Sequence, residues 1–358
     1  MANNAGNYII GGNDEHGINP PTIGKRTPIM PYINRSIYEN EFNYATKNNF
    51  LIACLRTGFN IFDVKPERTD TSINTRIARV NAQRLASLVT FAYNAAGNEL
   101  VFSDANGIEV YYSPNNSLTA QSQKLANDVY QRLLQGTGQS GRGVKPLDVG
   151  MLTGVRCPAT LIEAGFMTNF AEAKLMLDPD YQKEVGNEAC QGVCDFLDVP
   201  YIGGLTSTKG LPTIRVGNRG RAVQCMQYHL IQNGFNPGTP DGVFGQNTLR
   251  AVQAFQAQNG LTVDGIVGQN TWRRLLVLDP SVVTLRRGST GSYVRYLQRK
   301  LTAKLYPVGT IDNIFGAQTE RAVREFQQEN GLVVDGIVGR NTWNKLIPIG
   351  GGRPYPYN

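Results

Sequence analysis

Hydrophobic residues in the first two hundred positions follow two alternating patterns. Short apolar runs indicate buried strands, and longer segments with apolar residues three or four positions apart indicate amphipathic helices. Strands are predicted at 7–10, 59–64, 86–94, 107–113 and 159–166, and helices at 40–58, 72–85, 116–136, 169–177 and 180–197. This alternation predicts an α/β domain with a mostly parallel sheet flanked by helices.

The last third of the chain contains an internal duplication. The sequence VDGIVGQNTW around Asp264 recurs as VDGIVGRNTW around Asp335, and Trp272 recurs as Trp343, in each case 71 positions later. A constant offset indicates two tandem copies of one small unit. Each copy has three amphipathic segments, which predicts two small three-helix modules. We expect each tryptophan to be buried and each second helix to start near an Asn/Gln-Thr cap.

These patterns divide the chain into four parts. We expect the α/β domain at 1–202, a linker at 203–213 and the two modules at 214–277 and 284–348. The linker is predicted because the segment GGLTSTKGLPT is rich in Gly, Ser and Thr, a composition typical of flexible connections.

The overall charge narrows the classes of partner. With a formal net charge of +7 and a pI near 9.1, the chain favours an anionic partner such as a nucleic acid, a membrane surface or a cell-wall polymer. Nucleic acid is not expected, because the sequence has neither a Lys/Arg-rich run nor basic residues interleaved with aromatic ones. Membrane insertion is not expected either, because no apolar run approaches the ~18 residues of a membrane span.

Two features bear on the cellular compartment. The N-terminal residues MANNAGNYIIGG lack the basic start and long apolar core of a secretory signal, so we expect synthesis in the cytoplasm without a signal peptide. The five cysteines are odd in number and irregularly spaced, and we interpret them as reduced thiols rather than as disulfides or a zinc finger.

Polar residues lie at the predicted ends of several strands. His16, the only histidine among the first 228 residues, follows the first strand, and Asn94 and Glu163 lie near the ends of the third and last strands. Glu39 lies just before the helix that leads into the second strand. Because functional groups gather at the carboxyl ends of parallel strands, we expect these residues to converge on one edge of the sheet.

Several motifs occur in the order typical of one enzyme family. The segments EHG…TIGKRTP, YENEFNYA, TDTSINTRIARVN, GIEVYYS and RGVKPLDVGMLTGVRCPATLIEAGFMTN follow one another within residues 7–198. In this order they resemble the zinc-dependent N-acetylmuramoyl-L-alanine amidase family (type 3), which hydrolyses the amide between muramic acid and L-alanine. The resemblance implies an amidase domain at 1–202 with Zn²⁺ as its cofactor.

The resemblance also implies roles for individual residues. His16 and Glu39 would bind zinc, which accepts imidazole nitrogen and carboxylate oxygen, and Glu41 is the competing choice for the second ligand. Glu163 would be the catalytic carboxylate, which takes a proton from water and passes it to the leaving amine. Two further residues are implied to contact the substrate: Asn94 and Arg142.

One position departs from the family pattern. The corresponding family strand reads S-I-H-x-N-A, and its histidine is the third zinc ligand, whereas this chain reads TFAYNA and has Ala92 there. Alanine cannot bind a metal, and only Tyr93, Asp104 and Glu109 offer themselves as replacements. Three explanations remain open: removal of a ligand from an active form, a rebuilt metal site, or loss of catalysis with retention of wall binding.

The two modules resemble the peptidoglycan-binding domain type 1. They share the pattern F-G-x-x-T…V-x-x-F-Q…V-D-G-I-V-G-x-x-T-W, and the resemblance implies peptidoglycan as the partner. Two weak sites in tandem would gain avidity and would hold the catalytic domain at the wall.

Together the resemblances predict a peptidoglycan hydrolase that acts at the cell wall, outside the cell. The absence of a leader fits an endolysin that a membrane-permeabilising partner releases during cell lysis, or a component of a lysis or injection assembly. The alternative hypothesis is a catalytically inactive wall-binding or structural protein of a larger assembly.

Overall fold

The computed structural model describes residues 4–17, 25–98, 100–203, 208, 210–277, 280 and 283–347. The chain forms two compact units, one containing most residues up to Gly203 and the other most residues from Gly204 onward. The predicted linker at 203–213 lies partly outside the described residues, and its role stays a prediction. Among the described residues, no helix has the length and apolar composition that crossing a membrane requires.

The first unit is built around a six-stranded sheet whose strands adjoin in the order β2-β1-β3-β6-β4-β5. The pairs β1–β2, β1–β3, β3–β6 and β4–β5 are parallel, and only β4 and β6 are antiparallel. This confirms the predicted mostly parallel sheet. The strands are β1 Ile9–Asp14, β2 Asn60–Asp63, β3 Ser87–Asn94, β4 Ile108–Tyr112, β5 Gly141–Pro146 and β6 Ala159–Phe166.

Helices cover both faces of this sheet. They are α1 Glu39–Thr57, α2 Ile73–Asn81, α3 Thr119–Thr137, α4 Gly150–Thr153, α5 Phe170–Leu175 and α6 Pro179–Leu197. On one face α6 contacts both α1 and α3, while α2 and α4 pack on the other face through an apolar cluster that includes residues of β3 and β6. Because both faces are covered, β3 and β6 are buried along nearly their whole length, as central parallel strands are.

Several elements differ from the sequence-based expectation. Strand β5 and helix α4 were not predicted, since GRGVKP has two glycines, a proline and a single strongly apolar residue. An edge strand with one partner tolerates such a sequence. Helix α2 ends at Asn81 rather than at 85. Helix α1 ends as predicted, because Gly58 follows it in the left-handed conformation with φ 108°.

The second unit contains the two predicted three-helix modules. The first comprises α7 Arg221–Gln232, α8 Gln246–Gln258 and α9 Gln269–Leu275, and the second comprises α10 Ser292–Ala303, α11 Ala317–Glu329 and α12 Arg340–Leu346. Both tryptophans are buried, as predicted. The predicted cap of the second helix is wrong: α8 begins after Gly245 without a side-chain cap, because Thr248 faces inward and accepts a hydrogen bond from Gln227.

A buried glutamine fixes each VDGIVG loop. In the first module, the Gln256 side-chain amide donates to Asp264 Oδ1 (2.7 Å) and to the Ile266 carbonyl (3.0 Å), and its oxygen accepts the Gly265 N–H (2.9 Å). Gln327 makes the matching contacts in the second module. The loop conformation therefore depends on one fully paired polar side chain.

The two modules also contact each other through polar groups. Asn313 is buried in the left-handed conformation (φ 69°), and its amide donates to the Asn233 carbonyl (3.1 Å) and to Gln258 Oε1 (2.9 Å). Arg295 Nε donates to the Gln232 carbonyl (2.9 Å). Because these groups are paired across the boundary, the modules hold a defined relative orientation.

All five cysteines are free thiols: Cys54, Cys157, Cys190, Cys194 and Cys225. Cys54 Sγ and Cys190 Sγ lie 3.6 Å apart where α1 meets α6.

Glu188 of α6 is packed against α3. It lies so close to Gly136 that a Cβ added at Gly136 would be 2.4 Å from the Glu188 carboxyl group. Burial, and then the charge of Glu184, raises the pKa of Glu188 to about 8.

We expect Gln256→Leu to destabilise the first module by about 2–3 kcal/mol, because it leaves the buried Gly265 N–H without its acceptor and removes a donor from the Asp264 carboxylate. The chain has only two tryptophans, one in each module, so urea unfolding followed by tryptophan fluorescence reports on the modules alone. Gln269→Leu, at an exposed position, is the control. Equal midpoints for the two variants would contradict the role of Gln256.

We expect Glu188→Gln to change how stability depends on pH. The folded chain keeps a proton on Glu188 up to about pH 8, whereas the unfolded chain releases it near pH 4.5. Glu188 therefore lowers the free energy of unfolding as the pH rises through this window. The melting temperature of Glu188→Gln, followed by circular dichroism, should match that of the unsubstituted chain near pH 4 and exceed it by several degrees near pH 9. A difference that does not depend on pH would contradict this assignment.

Candidate active site

The site begins at the corner where β1 ends. The Glu15 N–H still donates to the Phe91 carbonyl (3.1 Å), so the chain remains paired with β3 one residue beyond the strand. His16 then adopts a left-handed conformation with φ 59°, which costs a residue with a side chain about 1–3 kcal/mol. Gly17 follows so close to Asp70 that a Cβ would lie 2.2 Å from its backbone nitrogen. This corner directs residues 15 and 16 toward the start of α1.

Two asparagines of α1 hold the corner in place. The Asn40 amide donates to Asp14 Oδ2 (3.1 Å) and to the His16 carbonyl (2.9 Å). The Asn43 amide donates to the Glu15 carbonyl (3.3 Å) and to Glu39 Oε1 (3.0 Å). Residues three and four apart share one face of a helix, so the first turns of α1 present both amides to the end of β1.

The corner and α1 bring three metal-binding side chains together. His16 Nε2 lies 3.4 Å from Glu39 Oε2 and 3.9 Å from Glu15 Oε2. Glu39 is almost fully buried, and its other oxygen accepts the Tyr93 N–H (3.1 Å). One potential ligand atom from each of Glu15, His16 and Glu39 lies within 4.8 Å of the other two. We call these three residues the donor cluster.

Glu163 lies beside the donor cluster on β6. In the sheet it pairs with Ala92 of β3 on one side and with Glu109 of β4 on the other. Its Oε2 atom is buried and has no hydrogen-bond partner among the described residues. Burial, and then the charges of Glu39 and Glu15, raises the pKa of Glu163 well above its ordinary value.

The positive charges of Lys25 and Arg76 oppose, but do not cancel, the rise in the pKa values of the carboxyl groups in the donor cluster. Burial raises the pKa of Glu39 to about 7, and burial together with the charge of Glu39 raises that of Glu15. Burial lowers the pKa of His16 against the opposing effect of Glu15, so the imidazole is neutral at neutral pH and has a nitrogen lone pair available. Carboxylates crowded in this way favour either protonation or a bound cation.

These residues fit a divalent zinc ion. Four-coordinate zinc, with bonds of about 2.0–2.2 Å to nitrogen and oxygen, separates its ligand atoms by about 3.3–3.6 Å. The 3.4 Å between His16 and Glu39 lies in this range, and the 3.9 Å between His16 and Glu15 is slightly longer. Beside them, the buried Oε2 atom of Glu163 is an acceptor without a hydrogen-bond partner among the described residues.

The structure separates the competing candidates for ligands. Glu41 is engaged by Arg35, whose Nη1 and Nη2 lie 2.7 and 2.9 Å from its two oxygens, and it is not part of the donor cluster. The Tyr93 hydroxyl donates to the Glu172 carbonyl (2.9 Å). Asp104 is likewise not in the donor cluster. Ala92 is buried in the apolar cluster of β3, β6, α2 and α4.

Asn94 and Arg142 meet at Glu109 rather than at the donor cluster. The Asn94 amide donates to Glu109 Oε2 (3.1 Å), and Arg142 Nε and Lys145 Nζ lie 2.5 and 2.7 Å from Oε1. Burial alone would raise the pKa of Glu109, but hydrogen bonds from Arg142, Lys145 and Tyr111 lower it to about 2. Glu109 is thus a charged partner of two cations beside Glu163.

Glu15 is not among the site residues predicted from the sequence. The available signal was a carboxylate directly before the only histidine of the domain, one residue beyond a strand. Neighbouring side chains on an extended chain point apart, so this signal had little weight. The left-handed conformation of His16 is what brings the two side chains together.

The chain is similar to two curated proteins and to solved structures of amidases. It is 22% identical over 166 residues to the uncharacterized protein YqiI of Bacillus subtilis (strain 168), covering 46% of this chain and 78% of YqiI. It is 32% identical over 168 residues to the N-acetylmuramoyl-L-alanine amidase CwlL of Bacillus licheniformis, covering 39% of this chain and 47% of CwlL. The crystal structure of N-acetylmuramoyl-L-alanine amidase from Clostridium difficile 630 has 24% identity and a TM-score of 0.47, over 53% of this chain and 97% of that one.

Two family models match the chain. A putative peptidoglycan binding domain matches residues 219–275 and again 290–346, which confirms the resemblance of the two modules. The model of N-acetylmuramoyl-L-alanine amidases matches residues 12–195, just over half of the chain. The chain therefore belongs to the N-acetylmuramoyl-L-alanine amidase family.

Proposed function

We propose that this chain is a zinc amidase that hydrolyses the amide between N-acetylmuramic acid and L-alanine in peptidoglycan. The observation that carries the proposal is the convergence of His16, Glu39 and Glu163, whose Oε2 atom has no hydrogen-bond partner among the described residues, at one edge of the sheet. His16 and Glu39 would hold the metal. When bound, zinc supplies the Lewis acidity that activates water and polarises the amide carbonyl.

Glu163 carries the proton in this proposal. With the charges of Glu39 and Glu15 neutralised, Glu163 is free to ionise and to accept a proton. It takes this proton from water as the water oxygen bonds to the amide carbon. It then returns the proton to the alanine nitrogen as the C–N bond breaks. The products are a carboxyl group on the muramic acid and a free amine on L-alanine.

Asn94 and Arg142 are proposed to contact the substrate on the side of Glu163 away from the donor cluster. The side chains of Arg142 and Lys145 are about two-fifths exposed (41% and 40%), although both pair with Glu109. A partly exposed cationic pair is suited to a carboxylate on the peptide portion of the substrate. Asn94 would help to orient the same segment through its link to Glu109.

The two modules would retain the chain on peptidoglycan, with the wall outside the cell as the place of action. Cytoplasmic synthesis without a signal peptide, and a place in a lysis or injection assembly, remain predictions from the sequence alone.

We expect Glu163→Gln to lower the rate of amide hydrolysis by about 10²–10⁴-fold, because the amide side chain cannot accept the proton. The assay measures new amino groups of L-alanine released from purified peptidoglycan, with reducing ends measured in parallel. Sedimentation with peptidoglycan should be unchanged, because the modules are intact.

The matched control is Glu188→Gln, another buried glutamate with a raised pKa that lies on α6 outside the site. It should retain the rate of the unsubstituted chain. An unchanged rate in folded Glu163→Gln, or release of reducing ends instead of amino groups, would contradict the proposal.

A further inference from the structure

The inference concerns the ligand that the chain lacks at position 92, and it rests on the proposed metal-dependent function. Ala92 offers a methyl group that is 1% exposed and belongs to an apolar cluster. His16 and Glu39 alone give two protein donors, and catalytic zinc sites use three protein ligands plus an open position. A third donor must come from another residue.

Glu15 is placed to supply it. Its backbone is fixed on both sides, since its N–H donates to the Phe91 carbonyl and its carbonyl accepts from Asn43. Its Oε2 atom lies 3.9 Å from His16 Nε2, while Glu39 Oε2 lies 3.4 Å from the same nitrogen. The Glu15 side chain is 27% exposed and the Glu39 side chain 3%, so Glu15 has the freedom to adjust toward an ion.

Three neighbouring cations pair with groups outside the donor cluster, and the charge of Lys25 opposes the raised pKa values of Glu39 and Glu163 without cancelling them. Arg76 donates to the Asp14 carbonyl (3.0 Å) and pairs with Asp70 (3.1 Å). Lys47 and Lys65 pair with Asp14. On β6, Glu163 pairs with Ala92, and its buried Oε2 atom has no hydrogen-bond partner among the described residues. This atom is an observation separate from the donor cluster, and it indicates the same missing cation.

We infer that Glu15 is the third metal ligand, and that the site consists of one imidazole and two carboxylates. Replacing an imidazole by a carboxylate makes the donor set harder, and harder oxygen donors suit Mn²⁺ better than imidazole does. The site should therefore prefer Zn²⁺ over Mn²⁺ less strongly than a site with two histidines.

The experiment measures metal affinity without turnover. The full chain is freed of metal and titrated with Zn²⁺ and with Mn²⁺ against a chromophoric chelator, and the bound metal is counted by mass spectrometry. We expect one ion per chain. Removing an outer-shell partner costs about 10- to 100-fold in metal affinity, and Glu15→Gln should lose at least this much affinity for zinc. The visible spectrum of bound Co²⁺ should change in the same variant. Glu188→Gln is the control and should bind as the unsubstituted chain does.

A second variant tests the replacement directly. Ala92→His combined with Glu15→Gln should recover zinc affinity but not manganese affinity, because a nitrogen donor takes the place of an oxygen donor. Undiminished zinc affinity and an unchanged Co²⁺ spectrum in Glu15→Gln would overturn the inference, as would the absence of metal binding in the unsubstituted chain.

These results are separate from the peptidoglycan assay. If Glu15→Gln binds zinc as tightly as the unsubstituted chain and the protein still releases amino groups, the inference is wrong and the proposed function stands. If Glu15→Gln loses the metal but the unsubstituted chain itself releases no amino groups, the inference stands and the proposed function is wrong.

Discussion

The geometry of the site depends on a buried network of ion pairs at the end of β1. The Asp14 carboxylate lies 2.7 Å from Lys47 Nζ and 2.8 Å from Lys65 Nζ, and all three side chains are fully buried. Lys47 also pairs with Asp63 at the end of β2 (2.8 Å). Removing one partner from such a network leaves an uncompensated buried charge, at a cost of about 3–5 kcal/mol. The network therefore fixes β1, β2 and α1 relative to one another directly beneath the corner that carries His16.

This network explains an unusual property of α1. Its buried residues include Glu39, Asn40, Asn43 and Lys47, so the face that meets the end of β1 is polar rather than apolar. Each of these side chains has a partner on β1, β2 or the corner. The helix is held by apolar contacts with α6 and β3 further along and by paired polar groups near its start. It thus serves as both a structural helix and the support of the site.

The same arrangement concentrates negative charge where the fold cannot neutralise it. Burial raises the pKa values of Glu15, Glu39 and Glu163, and the charge of Glu39 adds to the effect at the other two. Folding brings these groups together against their own repulsion, so the surrounding fold has to supply the free energy. A cation that binds only the folded chain would offset part of this free-energy cost, because selective binding stabilises the state that binds.

The sequence predicted best the strands that are buried on both faces of the sheet, because burial sets their pattern of apolar residues. The bounds of β6 were predicted without error because apolar residues predominate from 159 to 166. The choice between Glu39 and Glu41 was open, because residues two apart on a helix point about 200° apart and the pattern does not give the phase. The structure assigns that phase by starting α1 at Glu39. Glu15 was missed because its position depends on a backbone conformation at His16 that no periodicity indicates.

The polar boundary between the two modules has a consequence for recognition. Asn313 and Arg295 join the modules by hydrogen bonds to Asn233, Gln258 and Gln232, so matching surfaces of the two copies recur at one set distance. A polymer with a regular repeat can satisfy both surfaces only when its own spacing agrees with that distance. Once one surface is engaged, the other is already oriented, and little further rotational freedom is lost. Length matching, rather than affinity at either copy alone, would then decide which stretches of an ordered glycan are held.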